Sequence, residues 1–237
     1  MQGYIIITIF ASSNKSENMV MQETIREIKK KFRLAMNGDV STAMRKRGVD
    51  YKLNFGVSLP TIKKIAAAYY PAPNLAEYLY NENVRESKIM ATMLWPVEHF
   101  TKEKAEEWVL KADKLEIAEQ AAMNLFSKLP YAKEIALEWL KSENPVVRMN
   151  AHLLFVRLLV QGTEFSAEEL KDSVPAFISD LKEQGSTLFG LSLNALKKIG
   201  KLGDKAQNIV LEEFSGKADD ESQKIKQELE TEYSYYG

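Results

Sequence analysis

The chain has 237 residues, 45% of them hydrophobic, no cysteine, and a formal net charge of −1. That is enough apolar material for a large core, while a disulfide framework and thiolate metal sites are excluded. No apolar run approaches the ~20 residues of a bilayer-spanning helix, so no membrane partner is expected, and a reducing cytoplasm is the expected location.

Residues 1–20 open on the apolar run YIIITIF and then turn polar. No Lys or Arg precedes that run, which makes it a poor leader, and the stretch is expected to be a poorly ordered or spurious extension. A single helical repeat domain is expected over 21–237. From residue 21 to 37 an amphipathic helix is predicted, with Ile25, Ile28, Phe32 and Met36 on one face and Gly38 at its end. A short helix capped by Asp39 or Ser41 should run to Arg47, closed by Gly48. Residues 49–58 read as a loop, and Pro60 suits the first turn of the next helix.

Further helices are predicted near 60–70, 74–81, 84–95, 101–112, 115–128, 131–141, 145–160, 166–183, 187–200, 204–214 and 219–233. Asn144 followed by Pro145 marks one start, and Ser166 with Glu169 forms a capping box at another. Val/Ile/Thr alternation is scarce after residue 20, which argues against a sheet. The last helix has few apolar positions and should cap the array.

A similar phrase recurs along these helices. NVRESKIMATMLW at 83–95 returns as PVVRMNAHLLFVRLL at 145–159, with fainter echoes at 117–126 and 188–199. Intervals of roughly 30 to 40 residues are those of helical repeats, whose units share one continuous core when stacked. The expected fold is therefore all-α: an α-solenoid, or superhelix, of HEAT-like antiparallel helix pairs, with function on its concave face.

Charge is unevenly spread. Residues 21–64 hold eleven Lys and Arg against four Asp and Glu, whereas 65–237 hold twenty against twenty-eight. A basic segment on a near-neutral chain can mark a polyanion-binding face, or simply a solvated helix surface. Nucleophile-elbow, phosphate-loop and dinucleotide motifs are missing. His99 and His152 lack metal-ligand spacing, so structural roles are expected for them.

Four pieces remain: the aromatic-basic stretch VDYKLNFGVSLPTIKKIA at 49–66, Val84-Arg85-Glu86, Trp108 through Asp113, and Pro145 through Arg148. In this order they resemble the AlkC/AlkD-like DNA alkylation repair family. Phe55-Gly56-Val57-Ser58-Leu59-Pro60 looks like its early Phe-x-Gly-Ile/Val-x-x-Pro phrase, and Arg85-Glu86 before Ala91 looks like its first repeat helix. The resemblance covers most of 39–159.

It implies a HEAT-like solenoid that holds duplex DNA, and in catalytic members a glycosylase for cationic N-alkylated purines, without metal or redox cofactor. In such an enzyme a carboxylate stabilises the positive charge that develops on the sugar. By position Asp113 is the implied catalytic residue. Lys52, Lys63, Arg85 and Arg148 are the implied phosphate contacts, and Tyr51 or Trp108 would approach the lesion.

The sequence departs from the family pattern at several points. The aromatic four residues before the aspartate is Val109, with Trp108 shifted about 100° around the helix. A family tyrosine is replaced near Met44, and a later tryptophan has no counterpart. Asn150 rather than Arg148 takes the family arginine's place unless the register slips. Structural alternatives stand beside these roles: helix packing for Trp108 and Trp139, pairing with neighbouring carboxylates for Arg85 and Arg148, and plain surface for Lys63 and Lys64. The rival class is a non-catalytic HEAT-like scaffold that binds DNA structure or a protein partner.

Overall fold

Ile25, Ile28 and Phe32 recur at helical spacing and are buried, so the helix that carries them docks along one stripe. That helix, α1 (Gln2–Leu34), opens a computed structural model that describes the backbone of residues 2–235 and the side chains of residues 18–235. The expectation for residues 1–20 falls mostly on side chains outside the described ones. The chain divides into two compact units, Met1–Pro96 and Val97–Gly237.

In the first unit α1 is followed by α2 (Gly38–Lys46), α3 (Leu59–Ala67), α4 (Pro73–Asn81) and α5 (Arg85–Ala91). The α1 helix ends at Leu34, and Met36, expected on its buried face, lies 60% exposed in the turn beyond. The turn forms because Asn37 caps α2, its side chain accepting from Val40 N at 3.1 Å, while its own N–H donates to Phe55 O at 2.8 Å. Asn37, not Asp39 or Ser41, is thus the cap, and Gly38 begins α2 instead of closing α1. Phe32 meets Phe55 at 6.1 Å between centroids, and α3 packs against α1 and α5.

The second unit runs through α6 (Lys102–Val109), α7 (Leu115–Asn124), α8 (Ala132–Trp139), α9 (Pro145–Val160), α10 (Ala167–Ser179), α11 (Thr187–Gly200), α12 (Asp204–Glu212) and α13 (Asp220–Tyr233). Alternate helices form rows. The α7, α9, α11 and α13 helices pack in sequence, α10 packs on α12, and α8 lies against α9. The recurring phrase falls on α5, α7, α9 and α11, so within this unit the echoes occupy one row. That row has α9 at its centre, and Val147, Ala151, Leu154, Phe155 and Leu158 of α9 are all buried. Burying each of these side chains other than Ala151 contributes about 1.5–3 kcal/mol.

Caps and tight ends follow the local chemistry. Asn144 accepts from Val146 N at 2.9 Å before Pro145, and the Ser166–Glu169 capping box is complete. The stretches expected as 84–95 and 115–128 are shorter helices that tighten at their ends. Thr92, Met93 and Leu94 bond three residues back, and a 3-10 turn covers Phe126–Lys128. The terminal α13 buries only Ile225, Leu229 and Tyr233, as a cap should, and Glu228 adds an ion pair to Lys197 of α11 at 2.6 Å. Tyr233 donates its hydroxyl to Leu196 O at 2.9 Å, and its ring lies so close to Gly200 that a β-carbon there would overlap it. Among the described residues no helix is long and apolar enough to cross a membrane.

Candidate nucleic-acid interface

The aromatic-basic stretch of the first unit is a strap, fixed from behind by α5. Leu53 N donates to Asn83 O at 3.2 Å, Arg85 N donates to Leu53 O at 3.1 Å, and Lys52 N reaches Asn83 Oδ1 at 3.3 Å. Glu86, fully buried, accepts from Phe55 N through Oε2 and from Val57 N through Oε1, both at 3.1 Å. The Arg85 guanidinium returns the exchange through Nη1, donating to Val57 O at 2.9 Å and to Glu86 Oε1 at 3.0 Å. A buried carboxylate persists only where charge and hydrogen bonds compensate its desolvation, and here both do.

Arg85, expected on a phosphate, is instead turned inward, with 5% of it exposed. Its pairing with a neighbouring carboxylate is the structural alternative. Tyr51, expected near a lesion, is likewise buried at 7% exposure. Lys52 and Lys63 point to solvent, as does Lys64.

Other cations of the unit are only partly exposed. Lys29 is bound to Glu82 at 2.5 Å, and Lys31 pairs with Glu27 at 2.9 Å while donating to Tyr69 Oη at 2.8 Å. Arg26, Lys30, Arg33, Arg45, Lys46, Arg47, Lys52, Lys63 and Lys64 are exposed and form no ion pair among the described residues. Sequence reading selected only Lys52 and Lys63 as sites, although the charge run at 45–47 was already visible.

Several cations of the second unit are held by carboxylates. Lys102 bridges Glu134 and Glu138 at 2.7 and 2.9 Å, and Lys133 meets Glu169 at 2.7 Å. Lys104 and Lys111 both hold Glu107 at 2.6 Å, and their hydrogen bonds pull its carboxyl down to about 2.

Asp113 lies in the connection between α6 and α7, its side chain 53% exposed and 3.8 Å from Lys114 Nζ. The residue before it, Ala112, is buried and receives a hydrogen bond from Asn150 Nδ2 at 3.1 Å, so α9 fixes the base of the Asp113 turn. Asn150 also donates to Val146 O at 2.9 Å, and its Oδ1 is buried with no hydrogen-bond partner. Trp108, expected at a lesion, is fully buried, edge-on to Phe100 at 5.1 Å. Trp139 is also a packing residue, meeting Phe126 at 5.3 Å and donating from Nε1 to Glu106 at 2.7 Å.

Arg148 is engaged within the unit as well. Its Nε donates to both oxygens of Asp180 at 3.0 Å, and Nη1 donates to Ser142 O and Glu143 O at 2.9 Å. It thus ties the connection after α8 and the C-terminal end of α10 to the first turn of α9. Sequence reading missed Asp180, which lies 32 residues away. His152 stands beside it, its Nδ1 on Arg148 O at 2.5 Å and its Nε2 on Ser192 Oγ at 2.9 Å and Asp180 Oδ2 at 3.4 Å. Burial keeps the imidazole below its ordinary value despite Asp180, so the ring is neutral. A carbonyl can only accept, so Nδ1 carries the proton and Ser192 donates to Nε2. Ser192 and Asp180 meet the same ring nitrogen inside the core, an arrangement of packing and not of nucleophilic catalysis.

Rows of short helices packed on alternate neighbours define a HEAT-like repeat protein, and the comparisons agree. A solved structure described as "A new family of proteins related to the HEAT-like repeat DNA glycosylases with affinity for branched DNA structures" is similar with a TM-score of 0.68 and 17% identity. The match covers 87% of this chain and 94% of that one. A comparison with curated proteins returns no match. The family model for DNA alkylation repair enzymes matches residues 28–224, and this chain belongs to that family.

Proposed function

We propose that this protein binds duplex DNA, branched forms included, through the phosphate backbone, with the exposed cations of the first unit making the contacts. One observation carries the reading. Nine of the eleven cations of 26–64 stand in solvent without a carboxylate partner among the described residues, whereas residues 65–237 carry twenty cations against twenty-eight carboxylates. A phosphate contact needs a cation not already neutralised, and releasing condensed counterions from DNA supplies the driving force. The affinity for branched DNA in the description of the similar structure supports the same partner.

Electrostatic contacts fix position without reading sequence, so binding should depend on shape and salt more than on base order. Titrating a labelled duplex and a four-way junction at several salt concentrations tests this. Strong binding at low salt that collapses toward physiological salt supports it. Binding to neither DNA would leave a protein-binding scaffold as the better account.

A second reading, base excision at Asp113, rests on the family and on one feature: an exposed carboxylate on a turn fixed by Asn150. Such a group could stabilise positive charge on a sugar. Against it, Trp108 and Tyr51 are buried and present no ring for a lesion. Release of methylated purines from alkylated duplex, compared between wild type and Asp113→Asn, decides whether this chemistry operates.

A further inference from the structure

Between α1 and α2 the chain turns over residues 35–37, and apolar side chains in and beside the turn are exposed, among them Met36, which the sequence predicts to be buried. Leu34 is 78% exposed, Met36 60%, and Val40, on the first turn of α2, 41%. Scattered exposed apolar residues are ordinary on protein surfaces. This group differs in being held rigidly and in being flanked by charge.

Rigidity comes from Asn37. It bonds Phe55 O through its N–H, Val40 N through its side chain and Ser41 N through its carbonyl. Gly56 lies directly beneath, so close that a β-carbon would come 2.2 Å from Asn37 O, and its φ of +68° suits glycine. The strap under the turn is in turn bound to Glu86. An apolar tip therefore projects from a backbone that cannot retreat.

Charge lies on both sides of the tip. Arg33 precedes it, and the exposed run Arg45, Lys46 and Arg47 follows one short helix later, about 13 Å along at 1.5 Å per residue. Exposed cations before and after an apolar tip in the chain match DNA with an opened base step, because the faces of unstacked bases are apolar and their backbone is anionic.

We propose that Leu34 and Met36 are a wedge that recognises unstacked base pairs at a branch point, and that they supply the preference for branched over linear DNA. This rests on the DNA-binding reading and deepens it. The wedge inserts where stacking is already interrupted. In a continuous duplex the cost of unstacking, a few kcal/mol per step, opposes insertion. The cations then serve both forms of DNA and the wedge serves only one.

The test uses the full chain carrying Leu34→Ser with Met36→Ser, and separately Arg45, Lys46 and Arg47→Ala. Both targets are exposed, and an unchanged thermal midpoint confirms folding. Affinities are measured for a four-way junction and for a linear duplex of equal length, with 2-aminopurine at the branch reporting unstacking. The wedge variant should lose on the order of tenfold in junction affinity, keep its duplex affinity, and abolish the fluorescence rise. The charge variant should weaken both DNAs together.

Wild type that binds both forms without preference, or a wedge variant that retains the preference, overturns the wedge and leaves phosphate binding standing. Wild type that binds neither DNA removes the underlying reading as well. A wild-type dimer in sedimentation that the wedge variant dissociates, with junction preference intact, assigns the tip to self-association and also overturns it.

Discussion

Asn150 donates from Nδ2 to the main-chain carbonyl of Ala112 at 3.1 Å, fastening the residue before Asp113 to the middle helix of its row. Removing that donor leaves a buried carbonyl without the partner, which costs about 1–3 kcal/mol. Asn150→Ala should lower unfolding stability by that amount in urea. If Asp113 acts on DNA, the same variant should also lower base release. An unchanged denaturation midpoint would show that the Asn150 bond does not hold the turn.

The Arg85–Glu86 pair gives a sharper prediction. Both oxygens of Glu86 accept main-chain N–H groups, and a glutamine has only one acceptor to offer. Glu86→Gln leaves an N–H facing an amide donor and Arg85 without its counter-charge. The expected loss is on the order of 3–5 kcal/mol, read by chemical denaturation. A loss below the error of that measurement would mean that the strap is not held by this carboxylate.

How much of this was legible in advance follows physical range. Helices set by local chemistry were read closely. The Asn144–Pro145 start and the Ser166–Glu169 box sit where expected, because a cap is decided within four residues. Within the second unit the phrase repeated on α7, α9 and α11 marks the alternate-helix row. Side-chain direction at the site was less legible. Arg85 and Trp108 were assigned to DNA, yet their environments are made by Val57 and Phe100, partners supplied by tertiary packing that periodicity does not register. Met36 fits the apolar period of α1, and the period cannot say that Asn37 turns the chain out of the helix first.

Stability should carry the signature of His152. The unfolded ring has its ordinary value of 6.5, and burial holds the folded one lower. Above 6.5 neither state is protonated and the full stability is present. As pH falls below 6.5 the unfolded state takes up a proton that the folded state refuses, so stability declines until the folded value is passed. Thermal midpoints between about pH 7.5 and 5.5 should fall more steeply for wild type than for His152→Asn. Equal slopes would place the buried charge balance elsewhere.

At the far end of the chain, Gly200→Ala inserts a β-carbon into the ring of Tyr233. Overpacking a filled site costs about 1–3 kcal/mol and should loosen α13 first. Hydrogen exchange of α13 amides should accelerate while α9 remains protected. Uniform acceleration across both helices would show that α13 is no separable cap.

The central claim is that unpaired cations of 26–64 meet DNA phosphates, and salt dependence tests it most directly. Wild-type affinity for a duplex should fall with a slope of about −0.9 per phosphate contacted in a log–log plot. Replacing Arg45, Lys46 and Arg47 with alanine should flatten that slope by up to about three contacts' worth. An affinity indifferent to salt, or a variant with the wild-type slope, would contradict the account.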